Sequence, residues 1–150
     1  MTSWNEELFA WFDVKGSNYQ EGKRLKEDFD VVKAKENSFW ILELAKEEIM
    51  SNLDGNSKWL WMGGKGIGSL QAAQVASFFK EFIGGLMMIW GGLTPVTETH
   101  EIQPRAIFPI IYFGYEDDTE YPFDYIWKEY EWFVDNYFDI KFYQAKGEHA

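Results

Sequence analysis

The chain has 150 residues, 46% of them hydrophobic, with 8 Trp, 8 Tyr and 13 Phe. That much apolar area offsets the cost of ordering the backbone and excludes a disordered chain, and the length fits a single globular domain over residues 1–150. Cysteine does not occur, and 25 acids against 14 bases give a net charge of −11, which excludes disulfides, thiolate zinc sites and a thiol nucleophile and disfavours nucleic acid as a partner.

In chain order, Ser3 and Glu6 have capping-box spacing ahead of Leu8, Phe9, Trp11 and Phe12, and predict a helix over 4–14. Residues 19–35 read as a solvent-facing helix with Leu25, Phe29 and Val32 on one stripe; Asn37-Ser38 interrupts it. A second helix then runs through Phe39, Leu42, Ala45, Ile49 and Leu53, and Asp54-Gly55-Asn56-Ser57 stops it. Trp59–Met62 reads as a short buried strand. Ser69 is a candidate N-cap for an apolar, centrally packed helix ending near Gly84-Gly85. Leu86–Trp90 fits a strand and a helix equally.

Residues 95–104 read as a loop, and 106–115 as a strand that Pro109 pushes to an edge or bulge. An acidic turn follows at 116–119. Pro122 opens a helix with Phe123, Ile126, Tyr130, Phe133 and Tyr137 inward, and 139–144 closes as a strand. The expected fold class is therefore helix-rich α+β, with a small central sheet packed against several helices. The first residues, Met1 to Glu7, carry neither the basic start nor the apolar run of a secretory signal, and the uncharged stretch 82–95 is too short to span a bilayer. Cytoplasmic residence without membrane contact is the expectation.

Chemistry has few footholds. The loop Gly63–Gly68 precedes a helix, where backbone N–H groups can hold an anion, with Gly64, Lys65, Gly66, Gly68 and Ser69 as candidate ligand-binding residues. It lacks the Gly-Lys-Ser/Thr ending of a P-loop and the G-x-G-x-x-G spacing, and Ser69 does not sit in a G-x-S-x-G frame. His100 stands between Glu98 and Glu101, but two histidines in the whole chain, His100 and His149, give no metal-ligand spacing. Asp117, Asp118 and Glu120 lack the pattern of a calcium loop. No catalytic residue, metal or cofactor is expected.

Charge is concentrated late: residues 116–139 hold nine acids against Lys128 alone. Helical periodicity places Tyr125, Glu129 and Trp132 on the outer face of the last helix, flanked by Glu131 and Asp135. Carboxylates beside large aromatics suit a protein interface. The leading expectation is a non-enzymatic binding protein that neutralises a basic partner protein, of the inhibitor, immunity or anti-defence type, through Asp117, Asp118, Tyr125, Glu129, Glu131, Trp132 and Asp135. Two alternatives stand beside it: a small-molecule or nucleotide binder or enzyme using the glycine loop with Trp59, Trp61 and Trp90 as a wall, and a subunit of a homo-oligomer.

Overall fold

A computed structural model describes residues 30–78, 83–90, 108–118, 122–136 and 138–147. The helix expected at 4–14, the loop 95–104 with His100, and His149 lie outside them. The described elements run α1 (Val31–Asn52), a 3-10 turn (Ser57–Trp59), β1 (Trp61–Lys65), α2 (Ile67–Ser77), β2 (Gly85–Ile89), β3 (Ile110–Tyr115), α3 (Phe123–Asp135) and β4 (Ile140–Ala145).

The four strands form one sheet in the order β1-β2-β3-β4, every neighbouring pair parallel. Parallel neighbours need a crossover, which α2 supplies between β1 and β2 and α3 between β3 and β4. The architecture is therefore mixed α/β; the expectation of a helix-rich α+β fold is corrected by this parallel, alternating sheet. Its central strands read as near-continuous apolar runs because both faces are covered. That explains why Leu86–Trp90, ambiguous by periodicity, is a strand. Rows of side chains cross the sheet in register, Met62–Leu86–Ile110–Ile140 and then Gly64–Met88–Tyr112–Phe142. Leu86, Met88, Ile110 and Tyr112 are buried in the main core with Ala73 and Ala76 of α2 and Ile126 and Phe133 of α3.

Helix α1 begins at Asp30, whose carboxylate accepts the Lys33 N–H at 2.9 Å. It runs straight through the expected break at Asn37-Ser38. Ser38 is buried, its Oγ donates to the Ala34 carbonyl at 2.8 Å, and it accepts from Gln71 Nε2 of α2 at 2.6 Å. A serine satisfied in this way need not compete with the helix backbone. The α1–α2 contact thus carries a polar link within an otherwise apolar seam. No helix among the described residues is long and apolar enough to cross a membrane.

Candidate functional site

Because all four strands are parallel, their C-terminal ends share one edge of the sheet, where open α/β folds place their ligands. The described residues that meet that edge are the β1–α2 turn at Gly66, Trp90 after β2, the acidic turn after β3 and the residues after β4.

The β1–α2 turn is a single residue. Gly66 has φ 56° and ψ −124°, a conformation that side-chain-bearing residues rarely adopt. Its N–H donates to the Ile89 carbonyl of β2 at 2.8 Å, and its own carbonyl accepts from Ser69 at 3.0 Å and Leu70 at 3.3 Å. One residue thus leaves the sheet and starts the helix. The N–H groups of Ile67 and Gly68 open α2 and have no acceptor one turn back. The sharpness of the turn brings Gly64 against Gly68: a Cβ at Gly64 would stand 2.6 Å from the Ser69 nitrogen and closer still to the Gly68 carbonyl group. A Cβ at Gly66, by contrast, meets nothing within 4 Å among the described residues.

This is the geometry of a nucleophile elbow, the strained strand-to-helix turn of α/β hydrolases whose sequence frame is G-x-S-x-G. Here the frame reads Gly64-Lys65-Gly66-Ile67-Gly68, with glycine at the nucleophile's place. Ser69, expected as the N-cap, is instead the third residue of α2, fully buried, and the cap is Gly66. Sequence inspection tested the serine and missed the frame; the signal was the alternation of glycines directly between a strand and a helix.

Beside the elbow lies a cleft of ≈ 780 Å³ between α1 and the β1–α2 unit. Ile41 and Ala45 of α1 line it with Leu60, Met62, Ile67, Ala72 and Val75 and with Gly63, Gly64 and Gly68, which flank the turn. Gln71 also lines it; this side chain is 1% exposed, and its Oε1 has no hydrogen-bond partner among the described residues. Lys65, expected to meet an anion, places its Nζ 3.9 Å from the centre of the Trp90 ring. Of the expected tryptophan wall only Trp61 lines the cleft; Trp59 is largely exposed and Trp90 is buried.

The acidic residues separate rather than gather. Asp117 and Glu131 are exposed, whereas Asp118 and Glu129 are 5% and 6% exposed. Glu129 faces inward, and its Oε2 accepts the buried Tyr112 hydroxyl at 2.6 Å. Trp132, expected outward, packs on Phe133 and Phe138 with ring centroids 5.4 and 5.8 Å away, and Tyr125 is half-buried. Glu131 accepts from Trp127 Nε1 at 2.9 Å, and Asp135 is exposed at the end of α3. The outward face of α3 is thus rotated from the expected one, with Trp127 and Val134 exposed instead. Two of the seven residues expected to bind a partner are buried carboxylates. Among the described residues no group of three acids or histidines is placed to hold a metal ion.

Three solved structures share this architecture. Over 94% of this chain and 66% of theirs, Arabidopsis thaliana SOBER1 superposes with a TM-score of 0.75 at 16% identity. Zea mays acyl-protein thioesterase 2 gives 0.68 at 17% identity over 94% of this chain and 65% of its own. The Bacillus cereus carboxylesterase gives 0.67 at 11% identity over 91% and 66%. The chain therefore has an α/β-hydrolase-like fold, and it spans just under two thirds of the length of these structures. No protein-family model and no curated protein matches the sequence. These neighbours overturn the expectation of a non-enzymatic inhibitor, immunity or anti-defence protein, because the solved structures that share the fold include a carboxylesterase and an acyl-protein thioesterase.

Proposed function

We propose that the chain holds the carbonyl of a carboxylic ester or thioester at the β1–α2 elbow and promotes its hydrolysis. The observation that carries this reading is the backbone of Gly66, φ 56° and ψ −124°, within a Gly64-x-Gly66-x-Gly68 frame between a parallel strand and a helix. In that arrangement the N–H of the residue after the elbow, Ile67, is one donor of an oxyanion hole, and preorganised donors of this kind are worth about 3–4 kcal/mol of transition-state stabilisation each.

The rest of the edge is consistent with it. Asp118 follows β3 as a buried carboxylate, two strand spacings from the elbow, on the order of 10 Å. In sequence, Gly66, Asp118 and His149 follow the nucleophile, acid, histidine order of α/β hydrolases. The apolar lining of the adjacent cleft suits an acyl group, in line with the acyl-protein thioesterase among the neighbours. A phosphate ligand is less well served, since Lys65 is turned onto Trp90. A cytoplasmic location is part of the proposal and is compatible with a chain that has no cysteine to form disulfides.

The test is thiol release from a series of acyl thioesters of increasing chain length, with the uncatalysed rate subtracted. The reading expects saturable release, with KM falling as the acyl group lengthens into the cleft. Rates equal to buffer across the series, with no binding of a non-hydrolysable ketone analogue, would end it.

A further inference from the structure

We infer that hydrolysis at this elbow proceeds by direct attack of a water lodged over Gly66, with no acyl-enzyme intermediate. The inference rests on the ester or thioester reading above and adds the identity of the attacking group.

Position 66 is where the elbow frame carries its nucleophile, and here it ends at hydrogen. Among the described residues a Cβ at Gly66 meets nothing within 4 Å, so they leave room there for the CH₂OH of a serine. A water needs about one probe sphere of space, ~10–15 Å³, and polar neighbours to hold it. With the Ile67 N–H given to the carbonyl, the Gly68 N–H that also opens α2 supplies one such neighbour, and the ligand itself another.

Several other candidate nucleophiles among the described residues are engaged elsewhere, and Ser57 stands ahead of β1, at the opposite end of that strand from the elbow. Ser69 is fully buried inside α2. Ser77 Oγ donates to the Gln74 carbonyl at 2.6 Å at the far end of that helix, and Ser38 Oγ is held by Ala34 and Gln71. The Tyr112 hydroxyl is spent on Glu129. In the step that remains, the water oxygen bonds to the acyl carbon and the carbon–sulfur bond breaks. One water proton ends on the leaving sulfur and the other passes to solvent as the carboxylate forms.

The experiment compares the wild-type chain with Gly66→Ser and Gly66→Ala, each checked by thermal melting, using a hexanoyl thioester and a fluorophosphonate probe. Thiol release is followed from the first turnover, and intact-protein mass is read after acid quenching. Wild type is expected to release thiol linearly, without a burst, and to gain neither acyl nor phosphonate mass. Gly66→Ser is expected to gain one such mass, mapped to residue 66, with a burst approaching one equivalent. Gly66→Ala, whose methyl fills the water's place, is expected to lose at least tenfold in kcat with KM little changed.

An acyl adduct on the wild-type chain would overturn the inference while leaving the carbonyl site standing. Unaltered turnover by a folded Gly66→Ala variant would do the same. No thiol release and no analogue binding by wild type would remove both the inference and the reading beneath it. The wild-type mass measurement decides the matter even if neither variant folds.

Discussion

Two strand–turn–helix units of the same sheet use their turns in opposite ways. Between β1 and α2 the connection is Gly66 alone, and α2 from Ile67 to Ser77 carries no charged residue. Between β3 and α3 the connection runs from Glu116 to Pro122 and is crowded with carboxylates, and α3 adds Asp124, Glu129, Glu131 and Asp135. The acidic unit spends much of this polarity on itself. Glu129 is bonded to Tyr112, Glu131 to Trp127, Asn136 to the Trp132 carbonyl, and Glu116 to Gln144 of β4. Its aromatics are similarly committed, with Trp127 and Tyr130 packed on the Phe142 ring at 5.5 and 5.3 Å. The glycine unit has no side chain capping its helix, and Ile67 and Gly68, which open it, line the adjacent cleft. A conspicuous charge run can thus be committed largely within its own unit, as the carboxylates of the acidic unit are here.

Substitutions that probe this contrast fall in a definite order. The largest stability loss is expected for Gly64→Val, because its Cβ is forced against the backbone of Gly68 and Ser69, which cannot yield as a flexible side chain would. A cost on the order of 3 kcal/mol or more in urea denaturation is the expectation. A loss below 1 kcal/mol would mean that the close approach holding the elbow is not there.

Tyr112→Phe should come next, at about 1–3 kcal/mol, since it strips the buried Glu129 carboxylate of a hydroxyl donor. The same melt on Tyr112→Phe/Glu129→Gln should recover part of that loss if the pair is coupled as described. Gly66→Ala has room for its methyl and so loses only the freedom of a left-handed glycine, about 1–2 kcal/mol. A cost as large as that of Gly64→Val would erase the distinction between the glycine that fits by space and the one that fits by conformation. Smallest of all, Glu131→Ala on the exposed face of α3 should stay within about 0.5 kcal/mol.

The order in which these features can be read from sequence follows from their physics. Helix α3 and strand β4 were legible because one face of each is apolar and the other polar, so periodicity survives in the sequence. The sense of α3 was not. Glu129 is a charged residue on the buried side, and nothing local announces that Tyr112, seventeen positions earlier, is waiting for it. Strand β2 lies in the covered middle of the sheet, where apolar runs lose their alternation and even helix and strand look alike. Helix α1 was split at Ser38 because its partners, Ala34 one turn back and Gln71 in another helix, are contacts that only the fold supplies.

The elbow was half visible. The glycines and the following helix suggest a ligand site only as an alternative reading of the sequence, and a G-x-S-x-G frame is legible when a serine fills it, whereas the backbone shape that glycine adopts without strain is not.

The most direct test of the central claim is a titration with a non-hydrolysable ketone analogue of a hexanoyl thioester, followed by amide NMR of a chain labelled with ¹⁵N only at its 13 glycines. Saturable shifts confined to Gly63, Gly64, Gly66 and Gly68 are the predicted result, with Gly114 and Gly147 of the β3–β4 region unmoved. Shifts at Gly114 and Gly147 with a silent elbow, or no shifts at any glycine, would contradict the account.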